Sequence, residues 1–280
     1  MTPRLFGPIL AWDCATISAL LRADPSAATE VDADGQGALA LATTLGQVDV
    51  VRALLTVETA LRNAPFRCAR LPGAPTVTPL TAALLLGCRG VARALLDDPR
   101  VDATLEVDGR RAADVAAARG DVDALRRLGV DARWPRAFAA RVPRAVVDFF
   151  LDERELDPNA AFDASTGETV LMRACTNYDE DAVDALLGRG ADVNRRDAEG
   201  RDALARLARY LSGTTRPETV DVPTVDRQRR LFARLLVAGA TTDRTLDASP
   251  TVRGVVLAAA EGLRWRLGVA KRRYDEAFDD

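Results

Sequence analysis

Apolar residues recur at helical spacing twice between residues 165 and 194, with a polar break between the two runs. Both runs have the spacing i, i+1, i+4 and i+5, and they consist of Val170, Leu171, Ala174 and Cys175, then Ala182, Val183, Leu186 and Leu187. This spacing predicts two short amphipathic helices. Gly167 supplies a turn before them, Thr169 can cap the first, and Gly190 can end the second. Because neither helix is long enough to be stable alone, neighbouring units of the same kind are expected.

A second turn glycine, Gly200, stands 33 residues after Gly167, which sets the period of the repeat. The segment reads TVLMRA from Thr169, VDALL from Val183 and GADVN from Gly190. This ordered motif resembles the ankyrin repeat. The resemblance implies an all-α solenoid of stacked helix-turn-helix units with finger loops and helical caps. It also implies that the chain binds other proteins through the concave surface of fingers and inner helices.

The same pattern extends in weaker form along the chain and predicts a single ankyrin-repeat array over residues 1–280, with about seven repeats. The predicted parts are an N-terminal cap repeat at 8–31, repeats at 32–55, 78–103, 108–131, 132–160, 165–194 and 197–242, and a C-terminal helical cap at 249–280. Asp114 occupies a position that is usually histidine in the family, and we expect it to pair with Arg110 or Arg111.

Two segments are longer than a single finger or turn requires. Residues 56–77 carry three prolines with Phe66 and nearby arginines, and Ser212 to Asp226 is rich in Thr and Pro and reads as a surface loop. A long ordered loop is often functional, but each segment could equally be a tolerated insertion. The basic segment 264–274 has two readings as well, a peptide for an acidic partner or the solvated face of a capping helix.

Charge and cysteine content narrow the range of partners and compartments. The net charge of −3 argues against an electrostatic nucleic-acid binder. The four cysteines include no C-x-x-C pair, which favours reduced thiols. The apolar N-terminal patch is interrupted by Pro8 and Asp13 and is too short for a membrane span. We therefore expect a soluble cytoplasmic protein that binds neither nucleic acid nor membrane and is a monomer when free.

Catalytic motifs are scarce in this sequence. It has no histidine, which excludes Ser-His and Cys-His pairs, and it has no glycine-rich phosphate loop. The nearest acidic clusters are Asp97-Asp98 and Asp179-Glu180-Asp181, and the second can be explained by its place at a helix start. We expect no enzymatic activity, no cofactor, no catalytic residues and no metal site, with a carboxylate-based enzyme as the less favoured alternative.

A protein-interaction role fits the resemblance best, with a dedicated inhibitor or immunity-type protein that occludes one enzyme as the alternative. Partner contacts are expected from variable polar and aromatic positions on the fingers and inner helices. Arg and Tyr are enriched in interaction hot spots. The candidate partner-binding residues are Phe66, Arg67, Arg70, Arg173, Asn177, Tyr178, Arg196, Glu199 and Arg201.

Overall fold

A computed structural model describes residues 3–57, 60–130, 136–139, 141–213 and 222–241. The chain divides into two compact units, Met1–Asp131 and Ala132–Asp280. The predicted C-terminal cap at 249–280 and the basic segment 264–274 lie outside the described residues. Within the described residues, no helix combines the length and the apolar composition that a membrane crossing requires.

The first unit consists of consecutive pairs of short helices. They are α1 (Phe6–Leu10) with α2 (Cys14–Ala23), α3 (Ala38–Leu45) with α4 (Val48–Thr56), α5 (Pro79–Leu86) with α6 (Arg89–Leu96), and α7 (Ala112–Arg119) with α8 (Val122–Leu128). First helices stack on first helices (α1, α3, α5, α7), and second helices stack on second helices (α2, α4, α6, α8). Small buried residues such as Ala82 and Ala116 let these layers approach closely.

Short antiparallel hairpins, the fingers, precede the first helices of this unit. β1 (Phe66–Arg67) pairs with β2 (Thr76–Val77), and β3 (Glu106–Val107) pairs with β4 (Arg110–Arg111). Ahead of α3, a single bridge between Val31 and Gly37 closes a similar turn. The fingers contribute little regular strand, so the unit remains an all-α stack.

The second unit repeats this arrangement after an irregular start. Its elements are a 3₁₀ turn (Arg136–Ala139), α9 (Arg144–Asp148) continuing into a π-helical turn (Phe149–Glu153), β5 (Ala161–Asp163), β6 (Glu168–Thr169), α10 (Val170–Thr176), α11 (Glu180–Leu187), α12 (Ala203–Gly213) and α13 (Val222–Val237). β5 and β6 form an antiparallel finger. The first helices α10 and α12 pack on each other, as do the second helices α11 and α13. Both units therefore confirm the predicted all-α repeat architecture.

Three local signals are confirmed, namely the Gly167 turn, the Thr169 cap and the Asp114 ion pair. Gly190 does not end its helix, because α11 ends at Leu187 with Gly188 at the C-cap. Gly167 has a φ of 67°, in the left-handed region that glycine adopts without strain. The Thr169 hydroxyl accepts a hydrogen bond of 3.3 Å from the Met172 amide and so caps α10. Arg111 Nε lies 3.0 Å from Asp114 Oδ2, which confirms one of the two predicted partners of that carboxylate.

The two long segments differ from their predicted form. Residues 56–77 contain a 3₁₀ turn (Ala60–Arg62) and the β1–β2 hairpin, so the segment is built into the first unit. Its anchor is a buried ion pair in which Arg62 Nε lies 3.2 Å from Asp98 Oδ2, each side chain being 7% exposed. The predicted loop from Ser212 to Asp226 is wrong at both ends, since α12 runs to Gly213 and α13 begins at Val222. Pro223 suits the first turn of α13 because an amide there has no partner within the helix.

Candidate interaction site

The loop ahead of α12 is a tight turn organised by one carboxylate. The Asp197 amide donates to the Arg201 carbonyl at 2.9 Å, and the Gly200 amide donates to the Asp197 carbonyl at 2.9 Å. Asp197 Oδ1 accepts hydrogen bonds from the amides of Glu199, at 2.9 Å, and Arg201, at 2.8 Å. Gly200 completes the turn with a φ of 75°. One carboxylate oxygen thus fixes the backbone of this finger.

The other oxygen of Asp197 receives two guanidinium groups. Asp197 Oδ2 lies 3.0 Å from Arg201 Nε, 2.8 Å from Arg206 Nε and 2.7 Å from Arg206 Nη2, in a side chain only 1% exposed. Burial alone raises the pKa of Asp197, but hydrogen bonds from the Arg201 amide and from the Arg206 and Arg201 guanidinium groups outweigh it and hold the pKa at about 2. Asp197 is therefore ionised and fully engaged at neutral pH.

These contacts continue into the preceding finger. Arg206 Nη1 lies 2.7 Å from Glu168 Oε1, an ion pair that lacks hydrogen-bond geometry. Glu168 Oε2 accepts a 2.6 Å hydrogen bond from Arg173 Nη2. The Arg173 guanidinium also lies over the Phe162 ring, 5.1 Å from its centroid. We call Arg173, Glu168, Arg206, Asp197 and Arg201 the ionic chain, because opposite charges alternate along it and join the finger at 161–169 to the finger at 195–201.

A depression of about 260 Å³ opens beside the second of these fingers. It is lined by Arg196, Glu199, Gly200, Arg201, Asp202, Ala205 and Thr241. Arg201 Nη1 lies 2.6 Å from Glu199 Oε2, which ties the end of the ionic chain to the rim of the depression. Asp202 is turned towards α12, where its Oδ1 accepts a 2.7 Å hydrogen bond from the Ala205 amide. Arg196 is exposed, and no acidic side chain of the described residues pairs with it.

The structure brings three predicted contact residues together at this depression, namely Arg196, Glu199 and Arg201. The other predicted residues of the second unit make internal contacts. Arg173 belongs to the ionic chain, the Asn177 amide group donates to the Phe138 carbonyl at 3.0 Å, and the Tyr178 hydroxyl accepts from Gln228 Nε2 at 2.8 Å. The Asn177 hydrogen bond joins the end of α10 to the 3₁₀ turn (Arg136–Ala139), and the Tyr178 hydrogen bond joins the same segment to α13.

In the first unit, the structure corrects one predicted residue. Phe66 is 2% exposed and packs in a core cluster with Cys68 and Val77, so its side chain is not available to a partner. Arg70 donates a hydrogen bond from Nη1 to the Thr44 carbonyl, which anchors the finger to α3. Arg67 points out of the β1–β2 hairpin and is exposed.

The acidic clusters have structural partners. Asp98 pairs with Arg100 and Arg62, and these hydrogen bonds and charges lower its pKa to about 2. Asp179 caps α11 by accepting a 3.3 Å hydrogen bond from the Ala182 amide. Glu180 accepts hydrogen bonds from Arg230 and Arg234, which lower its pKa to about 2. No group of three or more metal-ligating side chains was found within the described ranges.

Sequence reasoning missed Glu168 and Arg206, the centre of the ionic chain. They are separated by 38 positions and belong to different repeats, so no spacing rule joins them. The one local signal was a charged residue directly before a capping threonine, at Glu168-Thr169. It becomes meaningful only when α10 and α12 are stacked.

A known family model matches one segment of the second unit. The family model described as ankyrin repeat matches residues 166–198, and no curated protein sequence matches the chain. Similar solved structures include the ankyrin repeat domain of Bcl-3, a member of the IkappaB protein family, at 22% identity and a TM-score of 0.47, covering 92% of this chain and 98% of that chain. The human ASB11 ankyrin repeat domain is 19% identical with a TM-score of 0.43, covering 92% and 98%.

A third similar chain comes from a complex of a predatory endopeptidase from Bdellovibrio bacteriovorus with an immunity protein. It is 18% identical with a TM-score of 0.41, covering 76% of this chain and 94% of that chain. The family match itself spans the Gly167 turn, α10, α11 and the start of the next finger. Because this segment carries both the sequence motif and the helix-turn-helix structure of the repeat, residues 166–198 form an ankyrin repeat.

Proposed function

We propose that this chain is a non-enzymatic binding module whose fingers and first helices contact a partner protein. The observation that carries this proposal is the finger at 195–201. Its backbone is fixed by Asp197, its base is held by the ionic chain, and its outer side chains border an open depression. A surface that is already ordered loses little conformational entropy when a partner binds.

The side chains offered by this finger suit protein recognition. Arg196 and Arg201 supply planar donors for carboxylates and carbonyls, and Arg is enriched among residues that dominate binding energies. In the first unit, Arg67 is offered in a comparable position on the β1–β2 hairpin. A protein partner fits better than nucleic acid because the chain carries a net charge of −3.

The remaining predicted residues have a supporting role in this proposal. Arg173 holds Glu168, Arg70 holds α3, and Asn177 and Tyr178 hold neighbouring segments through hydrogen bonds. Their replacement should weaken binding only as far as it disturbs the fingers. A non-enzymatic role is supported by Asp98, Asp179 and Glu180, since each of these carboxylates is held by internal hydrogen bonds or ion pairs.

The test is affinity capture from the native cell extract with the tagged full chain and charge-reversed variants. Arg67→Glu and Arg196→Glu alter the fingers of the two units. Arg93→Glu, on α6, and Arg227→Glu, on α13, are exposed controls with the same charge change on second helices. We expect a stoichiometric partner that both controls retain and at least one finger variant loses.

Two results would overturn this assignment. Equal loss in finger and control variants would mean diffuse charge attraction rather than a finger site. Absence of any partner, with the chain folded by circular dichroism, would remove the basis for a binding module. If the captured partner is an enzyme whose activity falls at equimolar ratio, the module acts as a dedicated inhibitor.

A further inference from the structure

Arg201 has two carboxylate partners that differ in how firmly they are held. On the inner side, Arg201 Nε lies 3.0 Å from Asp197 Oδ2, which is 1% exposed. On the outer side, Arg201 Nη1 lies 2.6 Å from Glu199 Oε2, and the Glu199 side chain is 64% exposed. Exposed ion pairs contribute little free energy, whereas the buried contact is strongly held. The Glu199 contact can therefore be exchanged without disturbing the turn.

Arg196 borders the same depression and is exposed. It lines the depression together with Arg201, and no acidic side chain among the described residues pairs with it. Asp202, the other acidic residue of the lining, already accepts a hydrogen bond from the Ala205 amide. Among the described residues, the depression thus offers one guanidinium without an acidic partner, that of Arg196, and one whose outer side is covered by the exposed Glu199 carboxylate.

We propose that this depression binds a carboxylate side chain from an acidic segment of the partner, and that Glu199 occupies part of that site in the free protein. The incoming carboxylate takes the place of the Glu199 carboxylate at Arg201 Nη1 and accepts further hydrogen bonds from Arg196. Arg201 keeps its inner contact with Asp197 throughout. Glu199 is then an internal competitor for the partner rather than a contact that attracts it.

Size and charge both favour an acidic side chain as the occupant. A volume of about 260 Å³ accommodates a single side chain with its solvation, not a helix or strand. Guanidinium groups bind carboxylates through paired, charge-assisted hydrogen bonds. This inference rests on the proposed function, because it names the chemistry of the partner segment that meets the finger at 195–201.

The competitor role predicts opposite effects for two neighbouring residues. Glu199→Gln frees Arg201 Nη1 and should strengthen binding of an acidic peptide. Arg196→Gln removes the free guanidinium and should weaken it. Both side chains are exposed, so neither change should unfold the chain. Arg201 itself is unsuitable for the test because its replacement would also break the ionic chain.

The experiment is fluorescence anisotropy of a labelled hexaglutamate peptide titrated with the full chain at about 0.15 M ionic strength, where the Debye length is about 8 Å. Relative to the wild type, we expect Glu199→Gln to tighten binding about threefold and Arg196→Gln to weaken it about threefold to fivefold. Two charge-matched controls, Arg195→Gln beside the depression and Asp181→Asn on α11, should each change it less than about twofold. Labelled hexalysine serves as the probe of opposite charge and should not bind.

Four results would overturn the inference. Equal weakening by Arg195→Gln and Arg196→Gln would mean diffuse attraction, unchanged or weaker binding in Glu199→Gln would remove the competitor role, and binding of hexalysine would reverse the class of partner. Failure to bind hexaglutamate at all would also refute it. The proposed function would survive any of these, provided that a captured partner is lost on Arg67→Glu or Arg196→Glu and retained by the matched controls.

Discussion

The fingers around Asp32 in the first unit and Asp197 in the second unit have the same turn but different surroundings. Their sequences are DADGQ and DAEGR. In the first, Asp32 Oδ1 accepts hydrogen bonds from the amides two and four residues later at 3.0 and 2.8 Å, and Gly35 has a φ of 72°. In the second, the corresponding distances are 2.9 and 2.8 Å and Gly200 has a φ of 75°. Both fingers are built by one carboxylate oxygen, one left-handed glycine and the same two backbone hydrogen bonds.

The two turns differ at the second carboxylate oxygen. Within the described residues, no side chain pairs with Asp32 Oδ2, and Asp32 is partly exposed. Asp197 Oδ2 receives Arg201 and Arg206, and Arg206 carries the contact on to Glu168. The comparison shows that the oxygen not needed by the turn is the one that can link a finger to its neighbour. The first finger is therefore locally stable, whereas the second is part of a buried network.

The largest expected difference follows from removing each aspartate. Asp197→Ala should lower the free energy of unfolding by about 3 kcal/mol, because it leaves the mostly buried guanidinium of Arg206 without one of its carboxylates. Asp32→Ala should lower it by about 1 kcal/mol, because it removes only hydrogen bonds to two partly exposed amides. Urea denaturation followed by circular dichroism measures both. Equal losses would show that the turn, not the network, dominates in the second finger.

The next largest expected effect is the energetic coupling between Glu168 and Arg206 in the ionic chain. In a double-mutant cycle of Glu168→Gln and Arg206→Met, the two changes should be non-additive by about 1–2 kcal/mol, since the groups are in direct contact at 2.7 Å. The matched cycle in the first unit pairs Asp32→Asn with Arg70→Met, which have no described contact and should be additive. Additive behaviour in both cycles would mean that the ionic chain does not link the two fingers of the second unit.

Much of the repeat could be predicted from the sequence, because its signals are local. The apolar spacing of α10 and α11, the Gly167 turn, the Thr169 cap and the Asp114 pair with Arg111 all involve residues close in sequence. The ionic chain could not be predicted, since it depends on the stacking of separate repeats.

The error at Phe66 has a similar cause. The neighbouring arginines favour an exposed contact residue at this position, but side chains alternate along β1, so Phe66 faces the core and Arg67 faces solvent. Recognising this required knowing that residues 56–77 contain a hairpin. Arg196, Glu199 and Arg201 could be selected together from the sequence because they lie within one finger, and their role in binding stays a prediction.

The contribution of Asp197 to stability should depend on pH. Its pKa falls from the ordinary 3.8 to about 2 in the folded chain, so the ion pairs contribute fully above about pH 4. As the pH falls from there through 2, the unfolded chain binds the proton first, and about 2 kcal/mol of stability is lost. Asp98 and Glu180 have pKa values of about 2 as well. The Asp197 contribution is therefore the stability that the wild type loses on acidification minus the stability that Asp197→Asn loses.

Urea denaturation midpoints measured at a series of acidic pH values provide the test. Arg206→Met should reduce the free energy of unfolding that is lost on acidification. The reason is that the pKa of Asp197 rises towards 3.8 when two of its donors are removed. An unchanged pH profile in both Asp197→Asn and Arg206→Met would contradict the role of these contacts.

The smallest expected effect tests whether the two turns share one backbone requirement. Gly35 and Gly200 both have left-handed φ angles, of 72° and 75°, and a Cβ at either position would meet no atom within 4 Å. Replacement by alanine therefore adds backbone strain without a steric clash, and Gly35→Ala and Gly200→Ala should each lower the free energy of unfolding by about 1 kcal/mol. Urea denaturation of the two variants side by side provides the comparison. A much larger loss at Gly200 would mean that the ionic chain makes its turn less tolerant, because Asp197 and Arg201 could not shift to relieve the strain. Equal losses would mean that the two fingers differ only in the contacts made by the second carboxylate oxygen of their aspartates.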